Sequence, residues 1–189
     1  QSQKSEDLKV PEASFAGVAQ IEETLRRDPD VAAVSKRVLF TGLVASAVSS
    51  VGVAIFSIDP EDESKLSTIS SYVKEGRFLE RRKEIIIGSR IAKNIDVRVG
   101  EKVVVMAQSR EGSFEGKALR VVGIFETGSY TWDASMVYAM REDAQELLAW
   151  DDEVNVIAVK LSDAAKLHQV QTRLADKLKA RSQGLKVLT

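Results

Sequence analysis

VLFTGLVASAVSSVGVAIFSIDP, residues 38–60, contains no charged side chain before Asp59. A membrane-spanning helix needs roughly 20 predominantly apolar residues, so the length of this run permits a span. Its composition favours strands instead, because hydroxyl side chains recur along it and β-branched Val, Ile and Thr supply much of the rest. Ser and Gly in the middle allow the chain to reverse between two apolar runs. We therefore predict a β-hairpin with arms near 37–46 and 51–58, and a single membrane helix remains the alternative.

The overall composition excludes several classes of function. The 27 Lys and Arg almost balance the 28 Asp and Glu, and no basic stripe is apparent, which argues against nucleic acid as a partner. The absence of Cys excludes disulfides, thiolate-ligated zinc and thiol catalysis. His168 is the only histidine, which excludes catalytic and metal sites that need two. The polar opening residues lack a signal-peptide pattern, so we expect no signal peptide, and we predict no cofactor and no bound metal.

Both ends of the chain predict a helix beside a strand, which gives an α+β fold class. Residues 14–28 have helical spacing with Ser14 able to cap the start, and VAAVSKRVL follows as a strand. Near the other end, 154–161 predicts a strand, 162–184 a helix capped by Ser162, and 185–189 a returning strand. The apolar stripe of that last helix consists of Leu167, Val170, Leu174 and Leu178.

The middle of the chain is richer in strands. After the hairpin, Asp59 and Pro60 predict the capped start of a helix. The following segments predict, in order, a strand at EIIIG, a short helix at SRIAKNI, two strands joined by the connector SREGSFEG, a strand at SMVYAM and a helix at REDAQELLAW. We therefore divide the chain into an α/β lobe built from 1–46 and 141–189 and a β-rich lobe at 47–140.

Three polar patterns invite a functional interpretation, and each has a structural one. Gly88 and Ser89 join a strand to a helix, where α/β proteins often bind phosphate, but the further glycines and Lys of a nucleotide site are missing. The acids at 59–63 lack the spacing of a calcium loop, so helix capping explains them better. The basic residues of 74–83 alternate with acids, and we interpret them as a solvated face.

Large apolar side chains in turns are the best candidates for contacts with a partner or substrate. TGSYTWDAS, residues 127–135, sets aromatics in a Gly- and Ser-rich loop where they find little to pack on unless the loop folds back. The hairpin tip and the connector raise the same question. The candidate contact residues are Val48, Val51, Phe114, Tyr130, Trp132 and Asp133. We expect Ala in place of Tyr130 or Trp132 to leave folding nearly intact.

Taken in order, several segments resemble the extracytoplasmic domain of permeases in the MacB and FtsX-like ABC transporter superfamily, with the lipoprotein-releasing Lol type most similar. The segments are IDP, EGRFL, EIIIGSRIAKNIDVRVGEKVVV, RVVGIFETG and DAQELL, within about 31–159. The resemblance implies a MacB-like periplasmic core domain, in which our α/β lobe and β-rich lobe correspond to the porter and sabre subdomains.

The resemblance also implies a function without chemistry in this chain. The domain would be looped out between membrane helices on the outer side of the cytoplasmic membrane, with ATP hydrolysed by a separate ATPase subunit and a second permease copy alongside. It would couple helix motion to transfer of a lipoprotein or another envelope substrate, and its ends would lie side by side. In this family a hook that receives a periplasmic carrier falls at SREGSFEG, which is short here and contains no proline. The alternative is a soluble enzyme or binding domain for a phosphorylated small ligand.

Overall fold

The charge-free run forms a β-hairpin. The computed structural model describes residues 14, 15 and 17–179. Strands β1 (Val31–Ala45) and β2 (Ser50–Ile58) pair antiparallel from Ala45↔Ser50 to Val38↔Ser57. The predicted hairpin is confirmed, and no helix in the described part of the chain is long and apolar enough to cross a bilayer.

The remaining elements follow the predicted order, except that strand β3 and helix α4 were not predicted. The further strands are β3 (Val73–Gly76), β4 (Glu84–Gly88), β5 (Lys102–Gln108), β6 (Phe114–Phe125), β7 (Met136–Met140) and β8 (Val156–Leu161). The helices are α1 (Val18–Arg26), α2 (Pro60–Leu66), α3 (Ser89–Asn94), α4 (Tyr130–Ser135), α5 (Arg141–Leu148) and α6 (Leu167–Lys179), with short 3₁₀ turns at Ile69–Tyr72 and Ala164–Lys166. This mixture of helices and strands confirms the α+β class.

Six of the strands close into a ring. The pairing runs β1–β2–β7–β4–β6–β5 and returns to β1 through Ala45↔Val104. Closure removes most of the exposed sheet edges that an open sheet would present. Strand β8 extends the sheet by pairing with the first half of β1, and β3 pairs with the end of β6. The long strand β1 therefore belongs both to the ring and to the part of the fold formed by the chain ends.

Alternation along the strands separates two apolar clusters. Side chains that face into the ring form the largest cluster, which α3 and α5 extend with Ile91 and Leu147. Outward-facing side chains of β2, β4, β6 and β7 form a second cluster around Phe125 and Tyr138. A third cluster joins α1, β1 and α6 through Ile21, Leu25, Val34, Val170 and Leu174. The chain ends thus have a small core of their own, while the boundaries of the two predicted lobes stay a prediction.

Several local predictions were wrong in detail. Helix α1 begins at Val18 after a left-handed Gly17, and the Ser14 hydroxyl donates to Glu153 instead of capping the helix. At the last helix Asp163 caps the preceding 3₁₀ turn instead of Ser162. Leu167 is 40% exposed and so lies outside the buried stripe. The Leu178 side chain, Gly184, the strand predicted at 185–189 and the chain termini all lie outside the described residues.

Candidate functional site

Acidic side chains that the sequence could offer for catalysis are mostly engaged in ion pairs or caps. Asp59 accepts from the N–H of Glu61 and caps α2, as predicted. Glu63 is buried and accepts from Arg37 at 2.7 Å and from the Ser35 hydroxyl at 3.0 Å. Buried Asp28 and Asp143 are likewise held by Arg173 and Lys117. Among the described residues no group of acidic or histidine side chains is placed to hold a metal ion.

Glu84 is a further buried carboxylate, and its pKa is strongly lowered. Two arginines, Arg77 and Arg81, donate to it at 2.9 Å, and the backbone N–H of Glu80 donates at 3.0 Å. The Arg77 guanidinium is the main cause that lowers the pKa of Glu84 from 4.5 to about 2, while burial opposes the shift. Because the folded pKa is depressed, this interaction stabilises the fold above about pH 4.5, and the gain is lost as the pH falls towards 2. Glu84 is therefore a structural carboxylate.

The strand-to-helix turn at Gly88 is a packing contact. A Cβ added to Gly88 would lie 2.2 Å from the backbone oxygen of Asp133 and 2.7 Å from its carbonyl carbon, so α3 and α4 touch backbone to backbone here. Only glycine fits such an approach. This close contact with α4 explains why position 88 is a glycine, which favours the structural interpretation of Gly88 and Ser89.

The segment 127–135, predicted as a loop, instead contains the short helix α4, and buried Asp133 holds it in place. One carboxylate oxygen of Asp133 accepts from the backbone N–H and the hydroxyl of Thr127, both at 2.8 Å. The other oxygen accepts from the N–H of Gly128 at 3.2 Å. These bonds tie the helix to its own preceding turn, a local arrangement typical of Asp. Asp133 is 3% exposed, so in this structure it serves the fold and does not present its carboxylate to a partner.

The two aromatic residues of α4 point in different directions. Trp132 is half-buried on the outer cluster, with its ring 6.0 Å from Phe56. Phe56 in turn contacts Tyr138, whose pKa burial raises to about 12. Tyr130 is 67% exposed and lies under the Arg90 guanidinium, 4.0 Å from the ring centroid. From this packing we now expect removal of Trp132 to cost stability and removal of Tyr130 to leave folding nearly intact, and both expectations stay predictions.

The hairpin tip presents one of its two valines to solvent. Val48 is 74% exposed, whereas Val51 packs against the cluster inside the ring. Ser46 fixes the tip, because its hydroxyl donates to the backbone oxygen of Ile95 at 2.6 Å and accepts from the Val48 N–H at 3.1 Å. Ile95 follows α3, and α3 carries Arg90. The tip, α3 and Tyr130 thus share one end of the ring, which we call the hairpin-tip end.

Phe114 lies at the opposite end of the ring. It is 66% exposed and opens β6, next to the connector that now spans only 109–113 because β6 begins earlier than predicted. The connector reaches α5, since the N–H of Arg110 donates to the backbone oxygen of Leu148 at 3.0 Å. The six candidate residues therefore do not form one site. Val48 and Tyr130 remain at one end, Phe114 at the other, and Val51, Trp132 and Asp133 belong to the packed fold.

A basic groove beside β6 was not predicted from the sequence. The groove measures about 610 Å³, and its wall includes Lys83 from the segment interpreted as a solvated face. Lys102 and Arg120, which are far from Lys83 in sequence, face each other across β5 and β6 on the same groove. Only strand pairing brings these charges together. The signal for this groove in the sequence was the pair of cations Lys102 and Arg120, which lie at opposite positions of the predicted β5–β6 hairpin.

The described residues thus define an α+β domain in which Val48, Phe114 and Tyr130 are exposed. The chain belongs to the family described as MacB-like periplasmic core domain, whose model matches residues 3–177. The resemblance inferred from the sequence is confirmed, and the family is a component of transporter permeases, not a class of enzymes.

Two curated relatives are similar in sequence. The chain is 25% identical over 169 residues to the lipoprotein-releasing system transmembrane protein LolE of Haemophilus influenzae, covering 84% of this chain and 41% of the relative. It is 30% identical over 129 residues to LolC of Neisseria meningitidis serogroup B, covering 64% of this chain and 31% of the relative. The chain therefore spans less than half the length of these relatives.

Solved structures share the fold. The extracellular domain of the noncanonic ABC-type transporter YknZ from Gram-positive bacteria has a TM-score of 0.68 at 14% identity, covering 98% of this chain and 95% of that domain. The periplasmic region of MacB from Actinobacillus actinomycetemcomitans has a TM-score of 0.62 at 15% identity, covering 86% and 72%. At these identities the likeness supports the fold alone.

Proposed function

We propose that this chain is the extracytoplasmic domain of an ABC transporter permease in the cytoplasmic (inner) membrane. It couples ATP-driven movement of membrane helices to the capture and transfer of a lipoprotein or another envelope substrate. The observation that carries this proposal is the family match over residues 3–177. The two curated relatives, both named as transmembrane proteins of lipoprotein-releasing systems, favour a lipoprotein as the substrate.

The proposed role needs no chemistry from this chain. ATP is hydrolysed by a separate ATPase subunit, and a second permease copy completes the transporter. The buried carboxylates described above are engaged in ion pairs or hydrogen bonds, as expected of a domain that moves as a body. The alternative of an enzyme or a binding domain for a phosphorylated ligand finds no support at Gly88, because the close contact with α4 already accounts for the glycine.

The exposed ends of the ring supply the contacts. At the hairpin-tip end, Val48 and Tyr130 offer apolar surface on a rigid base, because Ser46 and Arg90 hold them in place. Phe114 offers a single aromatic at the other end, beside the short connector at which a periplasmic carrier would be received. We assign substrate or partner-subunit contact to the hairpin-tip end and carrier contact to Phe114.

The test is reconstitution of the full-length protein that contains this chain, together with its ATPase subunit, in proteoliposomes that hold a fluorescent lipoprotein. We expect transfer of the lipoprotein to an acceptor to require ATP, and we expect the isolated 189-residue chain to hydrolyse none. A matched preparation with a non-hydrolysable ATP analogue is the control. Transfer that proceeds equally without ATP, or ATP hydrolysis by the isolated chain, would contradict the proposal.

A further inference from the structure

Strand β6 has one open edge over its first half. Strand β5 pairs with β6 from Phe114 to Arg120, whereas β4 joins the other side of β6 only from Arg120 onward. Within the described ranges no strand pairs with that side before Arg120, since β3 joins only at Gly123–Phe125. The closed ring thus leaves one strand edge uncovered beside the basic groove.

The backbone of this edge points its hydrogen-bonding groups into the groove. The N–H of Arg120 donates to Lys83 O at 2.8 Å on the β4 side, while the N–H of Val121 donates to Glu101 O at 2.9 Å on the β5 side. In an antiparallel pair, alternate residues direct both backbone groups to the same side. Gly116 and Ala118 therefore direct theirs towards the open edge, as Arg120 does. Both residues are exposed and line the groove.

The charges around the edge are unbalanced. Lys102 and Arg120 are direct cross-strand partners, an arrangement of like charges that destabilises a sheet. Among the described residues, neither of them nor Lys83 forms an ion pair, whereas Arg81, Arg82 and Lys117 are held by carboxylates. Three cations therefore surround the open edge without counter-charges. A bound anionic group would remove the cost of holding them close together.

We propose that this groove binds an extended acidic segment of a partner protein, which adds as a strand to the open edge of β6. The backbone of Gly116 and Ala118 would pair with the segment, and its carboxylates would contact Lys83, Lys102 and Arg120. Strand addition combines main-chain hydrogen bonds, which give affinity, with side-chain contacts, which give specificity. The small side chains at positions 116 and 118 leave room for the segment. The inference does not depend on the transport function.

A compact anion accounts for fewer of these features. A phosphate or a lipid headgroup would use the three cations, but it would leave the row of backbone donors and acceptors between Phe114 and Arg120 unused. Cations on a strand edge can also have a purely protective role, in which they prevent pairing between copies of a protein. Binding of an acidic strand distinguishes a docking role from this protective role.

The first experiment measures fluorescence anisotropy of labelled peptides titrated with the 189-residue chain. One peptide alternates Glu with Val, a second replaces every Glu with Lys, and a third keeps Glu but carries N-methyl groups on consecutive amides, which blocks both of its edges. We expect only the first to bind, with affinity that falls as salt is raised. Equal binding of the Lys or N-methylated peptide, or no binding of any peptide, would overturn the proposal. So would binding of anionic phospholipid vesicles in place of the Glu peptide.

Two sets of variants test the contacts separately. Ala118→Pro removes the N–H that faces the groove without touching the β5 ladder, and Ala118→Ser retains both that N–H and a small side chain as a control. The double variant Lys83→Gln, Lys102→Gln removes two of the three unpaired charges and keeps the backbone. We expect Ala118→Pro and the double variant each to lower the affinity for the Glu peptide by about tenfold or more. The double variant should melt at the same temperature as the wild type. Unchanged affinity in the double variant would overturn the proposal even if the proline variant fails to fold.

Discussion

The hairpin tip and helix α4 lie at the same end of the ring. Both contain large apolar side chains in or beside a turn. At the hairpin tip, Val48 is 74% exposed, although Ser46 anchors the turn to Ile95. In α4, Asp133 binds the preceding turn, Gly88 allows backbone contact with α3, and Trp132 packs on Phe56. Both segments have a polar anchor, so the difference shows that exposure within a turn depends on distant apolar partners. Val48 is therefore left exposed at the tip, whereas Trp132 stabilises α4.

Gly88→Ala should have the largest effect, because the new methyl group would meet the backbone of Asp133 at 2.2 Å and force α3 and α4 apart. We expect a loss of about 3 kcal/mol in the free energy of unfolding, measured by urea denaturation. Gly52→Ala is the matched control, because a Cβ at Gly52 has no atom within 4 Å. Similar stability of the two variants would remove the distinction between the packed helix α4 and the exposed hairpin tip.

Trp132→Ala should cost about 2–3 kcal/mol in unfolding free energy, because it removes a half-buried ring from the cluster around Phe56 and Tyr138. Tyr130→Ala, two residues away, loses only the stacking with Arg90 and should cost about 0.5 kcal/mol. The check is the midpoint of urea unfolding for both variants, with m-values compared. If Tyr130→Ala proved as destabilising as Trp132→Ala, Tyr130 would belong to the core and could not be a contact residue.

Asp133→Asn should be milder, with a loss of about 1–2 kcal/mol, because the amide keeps one acceptor for Thr127 but turns an NH₂ group towards the N–H of Gly128. Hydrogen exchange should show faster exchange of the Thr127 and Gly128 amides. Protection equal to that of the wild type would mean that α4 is held by Gly88 and Trp132 alone.

Val48→Asp should have the smallest effect on stability, within about 0.5 kcal/mol, since the side chain is exposed and surface substitutions away from packed features change little. Thermal denaturation followed by circular dichroism measures it. Val51→Asp is unsuitable as a partner for this test, because Val51 packs against the ring interior and a charge there would destabilise the fold. A large loss of melting temperature in Val48→Asp would place the tip among the packed parts of the molecule.

The sequence predicted most of the fold because its signals are local. Hydroxyl and β-branched residues on either side of a central Ser- and Gly-rich segment indicated the hairpin, and Asp59 with Pro60 indicated the start of α2, which forms as expected. The ring was not predictable, because its closure depends on pairing such as Ala45↔Val104 between strands far apart in the chain. The segment containing Trp132 was interpreted as a loop because Gly and Ser surround it, whereas a contact with Phe56, distant in sequence, buries one face of a helix there.

The candidate site was predicted only in part, for a related reason. Val48, Phe114 and Tyr130 are exposed as a contact role requires. The sequence could not separate them from Val51, Trp132 and Asp133, since all six lie in or beside turns. Burial of the latter three depends on which elements meet at each end of the ring. The basic groove could not be predicted from the sequence, because Lys83 lies near Lys102 and Arg120 only after β4, β5 and β6 have paired.

We propose that the hairpin-tip end is a contact surface for transport and not part of the packed fold. Its most direct test is ATP-dependent lipoprotein transfer by the full-length transporter in proteoliposomes, comparing the double variant Val48→Asp, Tyr130→Ser with Leu167→Asp. Leu167 is a matched control because it is an exposed apolar residue on α6, 40% accessible. We predict that the double variant keeps the wild-type melting temperature but transfers lipoprotein about tenfold more slowly, whereas Leu167→Asp transfers normally. Normal transfer by the double variant would contradict the account.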